Sequence, residues 1–188
     1  MRNNHNNNKG SIEIICGPMF SGKTEELIRR LKRAIIAKNK ILVFKPEIDN
    51  RYSDNFVVSH NNNSIESIIV KNEKDIINLT NGINIIGIDE IQFFSNDIIE
   101  ICMNLANQGK RVIVSGLDKD FKGRPFGIIP NILCEAEYIT KLNAICNVCG
   151  DYAFFTKRTS EDTKQILLGE LDKYEANCRD CFYNNRDE

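Results

Sequence analysis

The sequence has no excess of charge of one sign: Lys and Arg number 25 against 26 for Asp and Glu, a formal net charge of -1. That balance leaves no global basic field and argues against nucleic acid or a membrane surface as partner. No apolar run is long enough to span a bilayer. There is no internal repeat, which excludes a repeat array. Residues 1–10, rich in asparagine, lack the apolar core of a secretory signal and are expected to be a disordered tail. These absences point to a cytoplasmic protein. With 188 residues, 41% hydrophobic and 27% charged, the chain fits one soluble domain with a core of its own and a small appendage. In a cytoplasmic chain seven cysteines are not a disulfide framework.

What is present is organised around Ile12-Glu13-Ile14-Ile15-Cys16-Gly17-Pro18-Met19-Phe20-Ser21-Gly22-Lys23-Thr24. An apolar run ends in a glycine, four residues intervene, and Gly22-Lys23-Thr24 opens a helical pattern: the P-loop order of strand, glycine-rich turn and helix. Gly17 and Gly22 allow close approach of the backbone to a polyphosphate. The free amides of the helix start favour an anion. Lys23 is placed to reach the outer phosphates and the Thr24 hydroxyl to ligate magnesium.

Further along, residues 24–37 have helical spacing and 41–45 read as a buried strand. The polar stretch 47–63, headed by Asp49-Asn50-Arg51, is a solvated loop on spacing alone. Its position after a strand near the nucleotide site keeps a phosphate or magnesium role open. Residues 65–70 read as a strand and 73–79 as a short helix. The run 83–90 is an apolar strand ending in Asp89 and Glu90. Ser95 is a plausible cap for a helix to about Gln108, stopped by Gly109. Residues 111–117 form another buried strand, 118–130 a loop, and 137–142 a last core strand. Such alternation gives an α/β P-loop core with a mainly parallel sheet flanked by helices.

Asp89, at the end of an apolar strand, stands where a P-loop protein puts its second magnesium-organising carboxylate. Glu90 faces the other way if the strand alternation continues, so one carboxylate can serve a metal and the next an acceptor. As a general base it would act on water or on a substrate hydroxyl. Cys146-Asn147-Val148-Cys149 and Cys178-Arg179-Asp180-Cys181 have the spacing of two zinc knuckles. Four thiolates leave no open position, so the zinc is expected to be structural. A redox dithiol is disfavoured because neither pair is expected to open a helix after a strand. Cys16, Cys102 and Cys134 are expected to be buried, as are Phe94 and Phe154. Phe93 and Phe121 suit core packing or a planar ligand's pocket equally.

These markers, with Phe44-Lys45-Pro46, Asp49-Asn50-Arg51-Tyr52, Asp89-Glu90-Ile91-Gln92-Phe93-Phe94, Gly116-Leu117-Asp118 and Thr156-Lys157-Arg158, make the chain resemble the type II, zinc-containing thymidine kinases over residues 11–183. The resemblance implies a P-loop domain at 11–142 and a zinc-ribbon lid at 143–188 carrying a lasso loop at about 152–174. It implies transfer of the γ-phosphate of ATP to the 5′-hydroxyl of thymidine, a nucleotide-salvage step for DNA synthesis. Glu90 would be the base and Thr24 and Asp89 would manage magnesium. Residues 17–24 with Asp49, Arg51, Asp89 and Gln92 would bind the nucleotide; that set includes Pro18, Met19, Phe20 and Ser21. Around the base would stand Met19, Phe93, Leu117, Phe121, Thr156, Leu167, Gly169 and Tyr174. The family is usually tetrameric and inhibited by thymidine triphosphate. Glu170 after Gly169, and Gln165, depart from its common pattern in the lasso. Two other readings have different consequences: an ATPase in which Glu90 activates water, and a nucleic-acid-binding zinc module. The second lacks a basic, aromatic-laced strip around the knuckles.

Overall fold

A computed structural model describes residues 9–48, 56–59, 63–160 and 173–184. Isoleucine and valine dominate the strand segments, and their β-branched side chains suit a sheet covered on both faces. Six strands pair in parallel: β1 (Ser11–Gly17), β2 (Ile41–Pro46), β5 (Ile68–Val70), β6 (Ile85–Ile88), β7 (Arg111–Leu117) and β8 (Tyr138–Lys141), in the order β5-β2-β6-β7-β1-β8. The two short strands between β2 and β5, β3 (Phe56–Val58) and β4 (Ser64–Glu66), form an antiparallel pair of their own. The run 65–70 is therefore split at Ser67 between two sheets.

Period-two alternation assigns each strand residue to a layer. Ile12, Ile14 and Cys16 pack with α2 (Asp75–Leu79), α3 (Asp97–Asn107) and α4 (Ile129–Glu135), through Ile76, Ile98, Ile101, Leu105 and Ile132. Ile15, Val43 and Ile113 pack on the opposite face against α1 (Lys23–Ile36), whose Leu27, Ile28, Leu31 and Ala34 form its inner stripe. Helix α3 starts at Asp97, whose amide donates to the Ser95 hydroxyl at 3.2 Å, and ends before Gly109 at φ 83°. Helix α4, with Pro130 in its first turn, occupies part of the stretch expected to be loop. Strand β8 is an edge strand, not a core strand: Tyr138 and Ile139 are 61% and 55% exposed.

Glu13 falls on the α1 face, and there the layer is ionic. Its carboxylate accepts from Arg30 (2.8 Å) on α1 and from Arg111 (2.5 Å) on β7. Arg30 also reaches Thr140 on β8 at 2.8 Å and Glu26 at 2.8 Å, and Arg29 adds a 2.6 Å bond to Glu26. The hydrogen bond from Arg29, opposed by partial burial and aided by Arg30, lowers the Glu26 carboxyl from 4.5 to about 2.

A carboxyl whose folded pKa lies below its unfolded value stabilises the fold fully above the unfolded value, and that contribution is lost as pH falls through the folded value. The stability gap between wild type and Glu26→Gln is thus expected to be full above about pH 4.5 and to close as pH approaches about 2. Urea midpoints measured at stepped pH check this. A gap of constant size across the window would show that the charge on Glu26 contributes nothing.

Candidate active site

Strands β6, β7 and β1 are consecutive neighbours, so the residues leaving their C-terminal ends share one edge of the sheet. From β1 comes the loop 18–22. Gly17 has φ 150°, and a Cβ there would stand 2.4 Å from the Leu142 carbonyl oxygen. Gly22 (φ 80°) and Phe20 (φ 64°) are left-handed, and they turn the loop into the start of α1. Glycine takes that conformation freely, whereas Phe20 is strained in it. The buried Lys23 folds back so that Nζ donates to the Pro18 carbonyl at 2.6 Å. Ser21 Oγ donates to the same carbonyl at 2.8 Å, which fixes the loop as a closed ring at the positive end of α1.

From β6 come Asp89 and Glu90, 4% and 8% exposed. Thr24 Oγ1 donates to Asp89 Oδ2 at 3.1 Å, Ser115 Oγ donates to Oδ1, and the Glu90 amide donates to Oδ1 at 3.0 Å. The strand ends at Ile88, and Glu90 is left-handed at φ 52°, ψ 41°. Strand alternation, expected to aim Glu90, is therefore corrected: Glu90 lies beyond the strand, in a left-handed turn. Gln92, in the 3₁₀ turn Ile91–Phe93, donates to Glu90 Oε2 at 2.5 Å and accepts from the Leu117 amide at 3.1 Å. Gly116 makes room for this bridge, because a Cβ there would lie 2.6 Å from Gln92 Oε1. Ser115 was not among the expected site residues. Its signal was a hydroxyl in an otherwise apolar buried strand.

From β7 comes Asp118, paired with Lys141 at 2.8 Å and Lys119 at 3.3 Å. Burial, with Asp118 beside it, pushes the Cys16 thiol up. Burial alone pushes Cys102 up to about 12, so both behave as small hydrophobes. Cys134 is exposed, against expectation, because the short helix α4 turns that side outward.

Beyond Asn143 the chain forms β9 (Ala144–Ile145) with β10 (Tyr152–Ala153), β11 (Phe155–Arg158) with β12 (Tyr174–Asn177), and α5 (Arg179–Asn184). Cys146, Cys149, Cys178 and Cys181 have Sγ atoms all within 4.8 Å of one another. Among the described residues the apolar cluster around them is Ala144, Ala153 and Ala176, too little to hold such a unit by burial. Four soft donors with no oxygen ligand fit zinc in a closed structural site. The second pair does span a strand-to-helix junction, since α5 follows β12 directly, so the expected argument against a redox dithiol does not hold. The convergence of all four thiols replaces it. Phe155 stacks on Phe182 (4.6 Å, 21°), while Phe154 is 37% exposed rather than buried.

The lid unit meets the P-loop directly: the Met19 amide donates to the buried Thr156 Oγ1 at 3.0 Å. Phe93 packs edge-on to Phe126 at 5.7 Å, and the Arg158 guanidinium lies 3.7 Å over Phe121 and donates to the Tyr174 hydroxyl at 2.6 Å. Leu117 sits at the end of β7, beside Gly17 of β1. Asp49, Arg51, Leu167 and Gly169 lie outside the described residues.

A family model described as thymidine kinase matches residues 10–182. Among the relatives, a thymidine kinase of Bacteroides thetaiotaomicron is 51% identical, over 96% of this chain and 90% of that protein. One from Bacteroides fragilis is 52% identical over 93% and 87%, and one from a Rhodothermus species 49% over 95% and 84%.

The cysteine geometry carries its own expectation. The purified chain should contain about one zinc per chain, lost in Cys149→Ser. Chelator removal should expose the lid to protease before the P-loop domain unfolds. Elemental analysis and limited proteolysis check both, and a metal-free protein with the wild-type cleavage pattern would rule the site out.

Proposed function

The chain belongs to the thymidine kinase family, and we propose that it transfers the γ-phosphate of ATP to the 5′-hydroxyl of thymidine, giving thymidine monophosphate and ADP. The observation that carries this reading is the constellation at the strand ends: Asp89 bonded to Thr24 of the P-loop helix, with the adjacent Glu90 held by Gln92. No helix among the described residues is long and apolar enough to cross a membrane, and we infer a cytoplasmic salvage enzyme.

In this reading the loop 17–24 cradles the phosphates with backbone amides, and Lys23 exchanges its Pro18 carbonyl for phosphate oxygens. Asp49 and Arg51 bear on the same phosphates. Thr24 and Asp89 offer adjacent oxygen donors of the kind magnesium prefers, and they would hold it there. When bound, the ion neutralises phosphate charge. Glu90 takes the proton of the 5′-hydroxyl as that oxygen bonds to the γ-phosphorus. The bond to the bridging oxygen breaks, and ADP leaves with the electron pair. Gln92 donates to the Glu90 carboxylate and holds it in place. Its second bond, to the Leu117 amide, fixes the aim.

The nucleoside lies between the P-loop domain (11–142) and the lid (143–188). By the family resemblance, Met19, Phe93, Leu117, Phe121, Thr156, Leu167, Gly169 and Tyr174 are assigned to the binding of its base. The four cysteines would hold structural zinc, which would tie together the two ends of the chain segment between them. Thymidine triphosphate fits as a feedback inhibitor because it joins the base of one substrate to the phosphates of the other. A homotetramer is proposed from the family resemblance.

Glu90→Gln keeps the shape and removes the base, so kcat should fall roughly 10²–10⁴-fold with ATP affinity little changed. A coupled ADP assay and nucleotide titration measure both, and near-normal turnover would refute the role. In the same assay deoxyuridine should be a weaker but usable acceptor, since one methyl is worth about 1–3 kcal/mol in a pocket. Deoxycytidine should be poor because its N3 and exocyclic amine reverse the hydrogen-bond pattern. Efficient use of deoxycytidine, or ADP release without any nucleoside, would overturn the thymidine assignment.

A further inference from the structure

We propose that Arg158 is a positioning residue for the nucleoside pocket, a clamp that joins its core-side wall to its lid-side wall. The inference rests on the kinase reading above. Strand β11 alternates its side chains. Phe155 packs against Phe182 and Tyr183 of α5, while Thr156 meets the P-loop through the Met19 amide. Arg158, two residues beyond Thr156, falls on the same face of the strand. It is 8% exposed, a costly place for a guanidinium unless its contacts hold it.

Two of its contacts come from different parts of the chain. The guanidinium lies 3.7 Å over the Phe121 ring, in the loop that follows β7 of the core sheet. It also donates to the Tyr174 hydroxyl at 2.6 Å and stands 5.2 Å from the Tyr174 ring, on β12 of the lid. Only a flat, delocalised cation can stack on one ring and hydrogen-bond the rim of another. Phe121 and Tyr174 lie on either side of the Cys146 and Cys149 pair in the sequence, and Arg158 touches both. Clamped, they present one preformed wall to a planar base, which removes the side-chain ordering cost from binding. Arg158 touches neither the phosphates nor Glu90 in this assignment, so its effect falls on nucleoside affinity and not on the chemical step.

The test uses the full-length zinc-loaded enzyme with Arg158→Met, Arg158→Lys, Tyr174→Phe and the Arg158→Met/Tyr174→Phe double variant. KM for thymidine and for ATP, kcat, melting midpoint and zinc content are measured for each, and thymidine affinity is measured by calorimetry without ATP. Arg158→Met should raise the thymidine KM roughly 10–100-fold while kcat changes less than about 3-fold and the ATP KM stays put. Arg158→Lys keeps the charge but loses the planar stack and should recover little. Tyr174→Phe should also weaken thymidine, and the double variant should lose less than the product of the single effects. An unchanged thymidine KM in a folded Arg158→Met, or full multiplicativity with Tyr174→Phe, overturns the clamp. So does a parallel rise in the ATP KM with a lowered melting midpoint, the mark of a merely structural residue. If Arg158→Met does not fold, Tyr174→Phe decides alone, and an unchanged thymidine KM again overturns the clamp. Wild type without thymidine-dependent ADP release overturns the kinase reading instead, and the calorimetric affinities then still test the clamp.

Discussion

The sharing of one carboxylate organises the strand-end edge. Asp89 accepts from a helix residue, Thr24, from a strand residue, Ser115, and from the backbone of its own neighbour, Glu90. Thr24 and Ser115 come from different elements, and both are in reach only because β6, β7 and β1 pair in one parallel register. A one-residue slip of β7 would send Ser115 to the other face and leave a buried carboxylate short of a donor. Parallel pairing has no local turn to enforce it. The apolar layers on both faces fix it, with the Glu13, Arg30 and Arg111 cluster as an ionic key between α1 and two strands.

The lid follows a different physical rule. Its cysteine cluster is surrounded by alanines, and its aromatic residues form a separate stack of Phe155, Phe182 and Tyr183 on α5. Neither patch resembles the layered core of the sheet domain. Zinc held by the four cysteines would supply the cohesion that burial does not, and would let so small a unit present β11 to the P-loop.

What was legible in the sequence was local in origin. β7 ran over the expected residues, 111–117, because a continuous apolar run with a polar start has no other home. The P-loop, α1 and the cysteine pairs were equally plain, since spacing alone encodes them. The failures share a cause: they depend on which surface lies opposite. β8 has strand-like composition yet sits at an edge, so Tyr138 and Ile139 face outward. Phe154 is an aromatic in a strand-rich segment but points away from the α5 stack. Helix α4 begins at Ile129 and Pro130, the last two residues of the stretch read as loop, and the rest of it had no assignment. The alternation expected to aim Glu90 does not reach it, because a left-handed glutamate beyond the strand end leaves no mark in the sequence. The Met19 to Thr156 bond joins residues far apart in the chain and has no local signature at all.

That bond has a thermodynamic consequence. Met19 belongs to the loop that would carry phosphate, and Thr156 to the strand that would carry the base, so any shift of one segment is felt by the other. Linkage then requires reciprocity: whatever factor a nucleoside imposes on the affinity for nucleotide, the nucleotide must impose on the affinity for nucleoside. The order in which the two substrates arrive cannot alter that factor, because it belongs to the closed cycle and not to either path through it.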